Sequence, residues 1–137
     1  MIAVDTNVLV RYAVKDNYFQ TLAATDFLAN HICWVHKTVL LETVWVLSSK
    51  AGYALSREAV VERVRHILGL ENVFAQDEAE VANALTWFEA GMDFADALHL
   101  ASSDALDGFA TFDRRMQLKA KELNLTKTLI LLGKEPH

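Results

Sequence analysis

Four carboxylates in this sequence stand where a shared acidic site would need them. Asp5 follows the apolar run Ile2 to Val4, and Asp113 follows Phe109 to Phe112, so both are expected at the carboxyl ends of short buried strands. Glu42 and Asp96 are expected in the first turns of helices that open on the same rim. Carboxylates brought close together repel and raise one another's pKa, which is costly unless protons or cations neutralise them. A hard divalent cation is the economical solution: Mg²⁺ or Mn²⁺ prefers oxygen ligands and keeps several waters, whereas zinc would call for His or Cys. Helix N-termini add N–H donors and a partial positive charge that suit an incoming phosphate. The chemistry that follows is hydrolysis of a phosphodiester, with a water acidified by the cation attacking phosphorus in line.

Each residue also has a structural reading. Asp5, Thr6 and Asn7 are all good helix caps, and Asp93 is spaced from Asp96 as a cap is from its third helical residue, so Asp93 reads first as a cap. Asp96 could simply complement a helix dipole. Glu42 is flanked by Val39, Leu40, Leu41, Val44 and Trp45, which implies a largely buried helix where an unpaired carboxylate is expensive and needs a partner. His99, one turn beyond Asp96, reads as a packed histidine before it reads as a ligand. Trp34, Trp45 and Trp87 fall on apolar faces, as core or subunit interface. Arg114 and Arg115, with Lys119 and Lys121 a turn later, could grip phosphates or form a solvated face.

The elements that must position these groups alternate. Strands are expected at 2–5, 32–35, 73–75, 109–112 and 128–132. Between them lie helices that begin after Asp5, run from Phe19 to Asn30, from Thr38 to Ser49, from Ser56 to Leu68, from Asp77 to Glu89, from Phe94 to about Leu106 and from Arg115 to Leu123. The helix from Thr38 reads as apolar nearly all round, and Gly52, Gly91 and Gly108 mark breaks. Short buried strands alternating with helices imply right-handed crossovers. The fold class is therefore α/β, a three-layer α/β/α domain with a mostly parallel sheet of about five short strands, in which functional groups gather at the strands' carboxyl ends. Pro136 falls outside the expected core.

At 137 residues and 53% hydrophobic, the chain has the size of one domain, 1–137, with one substantial core. No apolar stretch approaches the length of a membrane span, and the N-terminus lacks a signal-peptide pattern, so a cytoplasmic protein is expected. Cys33 is alone, which excludes an intrachain disulfide or a thiolate zinc site. The net charge of −5 is awkward for a protein that binds nucleic acid. Between Arg65 and Arg114 there is no Lys or Arg, while ten carboxylates fall there; Asp77, Glu78, Glu80 and Glu89 read as a solvated helical face.

With these residues in view, the chain resembles the PIN-domain ribonucleases, and within them the VapC-type toxins of type II toxin–antitoxin systems. The resemblance rests on Ile2-Ala3-Val4-Asp5-Thr6-Asn7-Val8-Leu9, on Val39-Leu40-Leu41-Glu42, on Asp93 to Ala101 and on Thr111-Phe112-Asp113. It implies an acidic catalytic site of Asp5, Glu42, Asp96 and Asp113, with Asp5, Asp96 and Asp113 as ligands of Mg²⁺ or Mn²⁺. Thr6, Asn7 and Thr111 resemble the polar residues that support them; from the residues themselves, Asp93 joins these as a supporting cap, and Arg114 and Arg115 are candidate contacts to RNA phosphates. It further implies endonucleolytic cleavage of a structured RNA such as a transfer RNA, a homodimer, and inhibition by a cognate antitoxin. A dimer could assemble a basic groove from two copies of Arg11, Lys15, Lys37 and Arg114.

Two other functions compete. A phosphoacceptor domain also places an Asp after a buried strand, but a receiver would show an acidic pair there, and a dehalogenase-like phosphatase a second Asp where this chain has Asn7. A non-catalytic module could keep the fold and bind metal and RNA without turning over a substrate. Fold alone would license neither.

Overall fold

The structure, a computed structural model, describes residues 1–133; Pro136 lies outside the described residues. The chain divides into two compact units, Met1–Glu78 and Ala79–His137.

In the first unit, β1 (Ile2–Ala3) leads through Val4 and Asp5 into α1 (Thr6–Val14). There follow α2 (Tyr18–Asn30), β2 (Cys33–Val35), α3 (Lys37–Ser48), α4 (Arg57–Leu68) and β3 (Val73–Ala75). The three strands form a parallel sheet in the order β1-β2-β3, with Ile2 opposite Cys33, and Cys33 and Val35 opposite Val73 and Ala75. Parallel neighbours need crossovers, and the helices supply them. The core is built from Leu9 and Val10 of α1, Leu28 of α2, Cys33 and Val35 of β2, Leu40, Val44 and Leu47 of α3, and Val60, Val61, Val64 and Ile67 of α4, all buried. Each such side chain contributes about 1.5–3 kcal/mol through burial.

Local chemistry sets the helix starts and ends. Asn17 caps α2 by accepting from Gln20 N–H at 3.1 Å, and Ser56 caps α4 by accepting from Ala59 N–H at 3.1 Å. After α3 the chain doubles back so that Tyr53 N–H donates to Val46 O at 3.0 Å. A Cβ on Gly52 would stand 1.9 Å from that same carbonyl oxygen, so any side chain here forces the backbone of this return to shift.

Helix α3 departs from the expected all-round burial. It covers one stripe, Leu40, Thr43, Val44 and Leu47, at the spacing of a single helical face, and leaves Trp45 61% exposed. Thr43 is the polar member of that stripe and satisfies its hydroxyl by donating to Val39 O at 2.7 Å. Trp34 and Trp87 are partly covered, so none of the three tryptophans is a core residue.

In the second unit, α5 (Glu78–Glu89, its first residue just before the unit's start) is followed by α6 (Phe94–Ser102), β4 (Phe109–Thr111), α7 (Arg114–Glu122) and β5 (Leu129–Leu131). Gly91, at φ 113°, ends the connection after α5 in a conformation that favours glycine. β4 and β5 pair in parallel, Phe109 with Leu129 through Thr111 with Leu131. Among the described residues the strands are thus all paired in parallel, three in one sheet and two in another. Helix α6 stops at Ser102, short of the expected Leu106. Ser103 closes it by donating its N–H to Leu100 O, the turn-forming run Asp104 to Gly108 follows, and Leu106, 63% exposed, has no packing to hold a further turn. Among the described residues no helix is long and apolar enough to cross a membrane.

Candidate acidic site

In the first unit, Asp5 sits at the N-cap of α1 with extended backbone (φ −85°, ψ 163°), and its Oδ1 accepts the Thr6 N–H at 2.8 Å. Its carboxylate is exposed at the positive end of the helix. Thr6 beside it is buried, and its Oγ1 has no hydrogen-bond partner among the described residues. Asn7 is exposed and borders a cleft of about 370 Å³ between α1 and α2, shared with Arg11, Gln20 and Phe27.

Glu42 requires two corrections. It is the sixth residue of α3, in the second turn rather than the first, and it is exposed, so no buried, unpaired carboxylate demands a partner there. The apolar neighbours that suggested burial belong to a helix that is covered on one face only, and Glu42 lies off that face beside exposed Trp45.

In the second unit, three carboxylates share the starts of α6 and α7. Asp93 is the N-cap of α6 and its Oδ2 accepts the Asp96 N–H at 3.2 Å. Asp96, in the first turn, is partly buried, and its carboxyl is held above the usual carboxylate range. Burial is the largest cause and the negative charges of Asp93 and Asp113 add to it, while His99 and Arg115 pull the other way. Asp113 is the N-cap of α7: its Oδ1 accepts the N–H groups of Arg115 at 2.9 Å and Met116 at 3.3 Å. Its own N–H donates to Thr111 Oγ1 at 3.0 Å, so Thr111 fixes the turn that presents this carboxylate.

The nearby positive charge is largely exposed. Arg115 Nε lies 4.0 Å from Asp113 Oδ1 with its side chain 95% exposed, and Arg114 is exposed as well. Lys119 is engaged with Glu122 at 2.9 Å. His99 is exposed and stacks on Phe109, with ring centroids 6.4 Å apart and planes at 14°.

Asp93 and Asp113 are thus close enough to act on the Asp96 carboxyl, yet among the described residues no group of three or more His, Cys, Asp or Glu side chains is assembled to hold a metal ion. Asp5, Asp93 and Asp113 each spend a carboxylate oxygen on a backbone N–H at a helix start. In donor chemistry the set still fits a hard divalent cation: carboxylate oxygens throughout, with the buried Thr6 hydroxyl unsatisfied next to Asp5 and the only cysteine, Cys33, buried on β2.

Several contacts have no signal in local spacing. Tyr53 and Arg11 bracket Asp16, with Tyr53 OH donating to Oδ2 at 2.8 Å and Arg11 Nη1 to Oδ1 at 2.9 Å. Tyr12 OH lies 2.8 Å from His66 Nε2, and their rings stack. The Tyr53–Asp16 and Tyr12–His66 partners are separated by 37 and 54 residues, which no periodicity connects.

No curated protein matches the chain. The family model of the PIN domain matches residues 2–122, in agreement with the expected three-layer α/β/α class with a mostly parallel sheet of about five strands. That match spans all four acids, and with it this chain belongs to the PIN-domain family.

Proposed function

We propose that the chain, acting over 1–137 as one PIN-like nuclease domain, is a divalent-metal-dependent endoribonuclease that hydrolyses RNA phosphodiester bonds. Family membership supports a nuclease of this general kind. The observation that carries the reading is the grouping of Asp93, Asp96 and Asp113 at the starts of α6 and α7, where a partly buried carboxylate bears the charge of two others. A cation relieves that burden.

In this reading Asp5, Asp96 and Asp113 hold Mg²⁺ or Mn²⁺, and Glu42, exposed on α3, is the fourth acid of the catalytic set. When bound, the cation supplies Lewis acidity to the phosphoryl group and makes water a better nucleophile at neutral pH. Asp93 and Thr111 orient Asp96 and Asp113 through the backbone bonds described above. The Thr6 N–H holds one Asp5 oxygen in the same way, and Asn7, exposed two residues after Asp5, is a supporting polar residue. Arg114 and Arg115, exposed at the start of α7, meet phosphates of the RNA.

The finer assignment follows the sequence resemblance: a VapC-type toxin, homodimeric and cytoplasmic, that blocks translation by cutting a structured RNA such as a transfer RNA and is held in check by an antitoxin. The test is cleavage of total cellular RNA by purified protein with Mg²⁺, Mn²⁺ or chelator, with Asp5→Asn alongside. Discrete, metal-dependent fragments absent from the variant support the nuclease. A second reading is a metal- and RNA-binding module with the same fold and without turnover. RNA binding without cleavage under either metal would select it.

A further inference from the structure

A cavity of about 290 Å³ lies between α1 and α4, lined by Tyr12, Lys15, Glu62, Arg63 and His66 among others. It is at the opposite end of α1 from Asp5, about 14 Å along the helix axis. In a chain of net charge −5 most cations near carboxylates are neutralised: Arg11 pairs with Asp16, Lys37 with Asp77 and Lys119 with Glu122. The two at this cavity are not. Arg63 gives Nε to Ala13 O at 3.3 Å and Nη1 to Ala59 O at 3.4 Å, both backbone carbonyls, which hold its guanidinium in place without cancelling its charge. Lys15 Nζ lies 5.3 Å from the centre of the Tyr12 ring, with no carboxylate partner among the described residues. Tyr12 OH bonds His66 Nε2; when Tyr12 donates, the imidazole carries its proton on Nδ1 as a further donor. Against these stand one exposed carboxylate, Glu62, and the partial negative charge of about half a unit at the carboxyl end of α1.

We propose that this cavity is a phosphate-binding site, and that it takes a backbone phosphate of RNA remote from the bond that is cut. The RNA source rests on the nuclease reading; the phosphate chemistry does not. A guanidinium already oriented by two backbone carbonyls, with an ammonium beside it and N–H donors to spare on both, is what a phosphate oxygen pair requires.

The test is amide chemical-shift titration of the full chain with inorganic phosphate and, in chelator to prevent cleavage, with a short single-stranded RNA bearing a 5′-hydroxyl. Wild type, Lys15→Gln and Arg63→Gln are compared; Lys15 is exposed, so its variant folds even if loss of the Arg63 bond to Ala13 loosens α1 against α4. Shifts should centre on Tyr12 to Lys15 and Glu62 to Ile67, each variant should bind about tenfold more weakly, and the salt slope for RNA should fall by about one contact. A response to RNA alone assigns the site to the phosphodiester, and a response to inorganic phosphate alone to a free anion. Shifts elsewhere, or equal binding by wild type and Lys15→Gln, overturn the proposal. Cleavage without a cavity response removes this site and leaves the nuclease; a cavity response without cleavage does the reverse.

Discussion

Asp93 accepts the backbone N–H of Asp96 at 3.2 Å, so the first acid of the Asp-Phe-Ala-Asp stretch fixes the start of the helix that presents the second. Capping asks for an acceptor oxygen, not for charge. Asp93→Asn should therefore leave the urea midpoint and the RNA cleavage rate near wild type, while Asp93→Ala should lose about 1 kcal/mol of stability. Cleavage abolished in a stable Asp93→Asn protein would make Asp93 a participant in the chemistry rather than a cap.

Asp96 differs from Asp93 in being partly buried, with its carboxyl raised first by that burial and then by two neighbouring charges. Asp96→Asn removes the charge that a cation would use and keeps the side-chain shape. Because Lewis-acid stabilisation amounts to several kcal/mol, cleavage should fall by about a hundredfold or more. The thermal midpoint should hold or rise, since relief of repulsion among the three acids favours the folded state. Unchanged cleavage by this variant would end the assignment of Asp96.

Local signals in the sequence located the elements well and the environments poorly. Val73 to Ala75 forms a strand, Ser56 caps α4 and Asp93 caps α6, because those features depend on neighbours within a few residues. Whether Glu42 is buried depends instead on which face of α3 another element covers, and an apolar helix does not announce that. The early end of α6 reflects missing packing around Leu106 rather than any strong breaker. For the site, the capping roles of Asp5 and Asp93 were legible, whereas the cap that Asp113 forms on α7 came only with the structure, and Thr111 as the anchor of Asp113 rested on resemblance until its hydroxyl was seen accepting the Asp113 N–H.

Gly52 supplies a test of the turn that carries the chain from α3 towards α4. Any side chain there begins with a Cβ 1.9 Å from Val46 O, and the obstacle is backbone, which cannot swing aside as a side-chain tip could. Gly52→Ala should cost about 1–3 kcal/mol, read as a lower urea midpoint at an unchanged slope. A variant as stable as wild type would show that the Val46 to Tyr53 return relaxes at little cost.

Tyr53 and Asp16 give a stability effect with two pH limits. The Tyr53 hydrogen bond is the largest influence on Asp16 and, with Arg11, holds its carboxyl below the ordinary value of 3.8; the same bond is the largest cause that raises Tyr53 above 10.0. With its folded pKa depressed, Asp16 stabilises the fold above the ordinary carboxylate value, and that contribution is lost as pH falls through the folded value. With its folded pKa raised, Tyr53 contributes below its ordinary value and loses that contribution as pH rises through the folded one. Tyr53→Phe removes the bond to Asp16 together with the longer 3.4 Å bond that the Tyr53 hydroxyl accepts from Arg11 Nη1, and keeps both members of the Arg11–Asp16 ion pair. Urea unfolding of both proteins from about pH 2 to 11 should show a stability difference that is level between roughly pH 5 and 9 and shrinks towards both extremes. A difference that persists undiminished at about pH 2 would mean that Tyr53 stabilises this loop through its ring and not through Asp16.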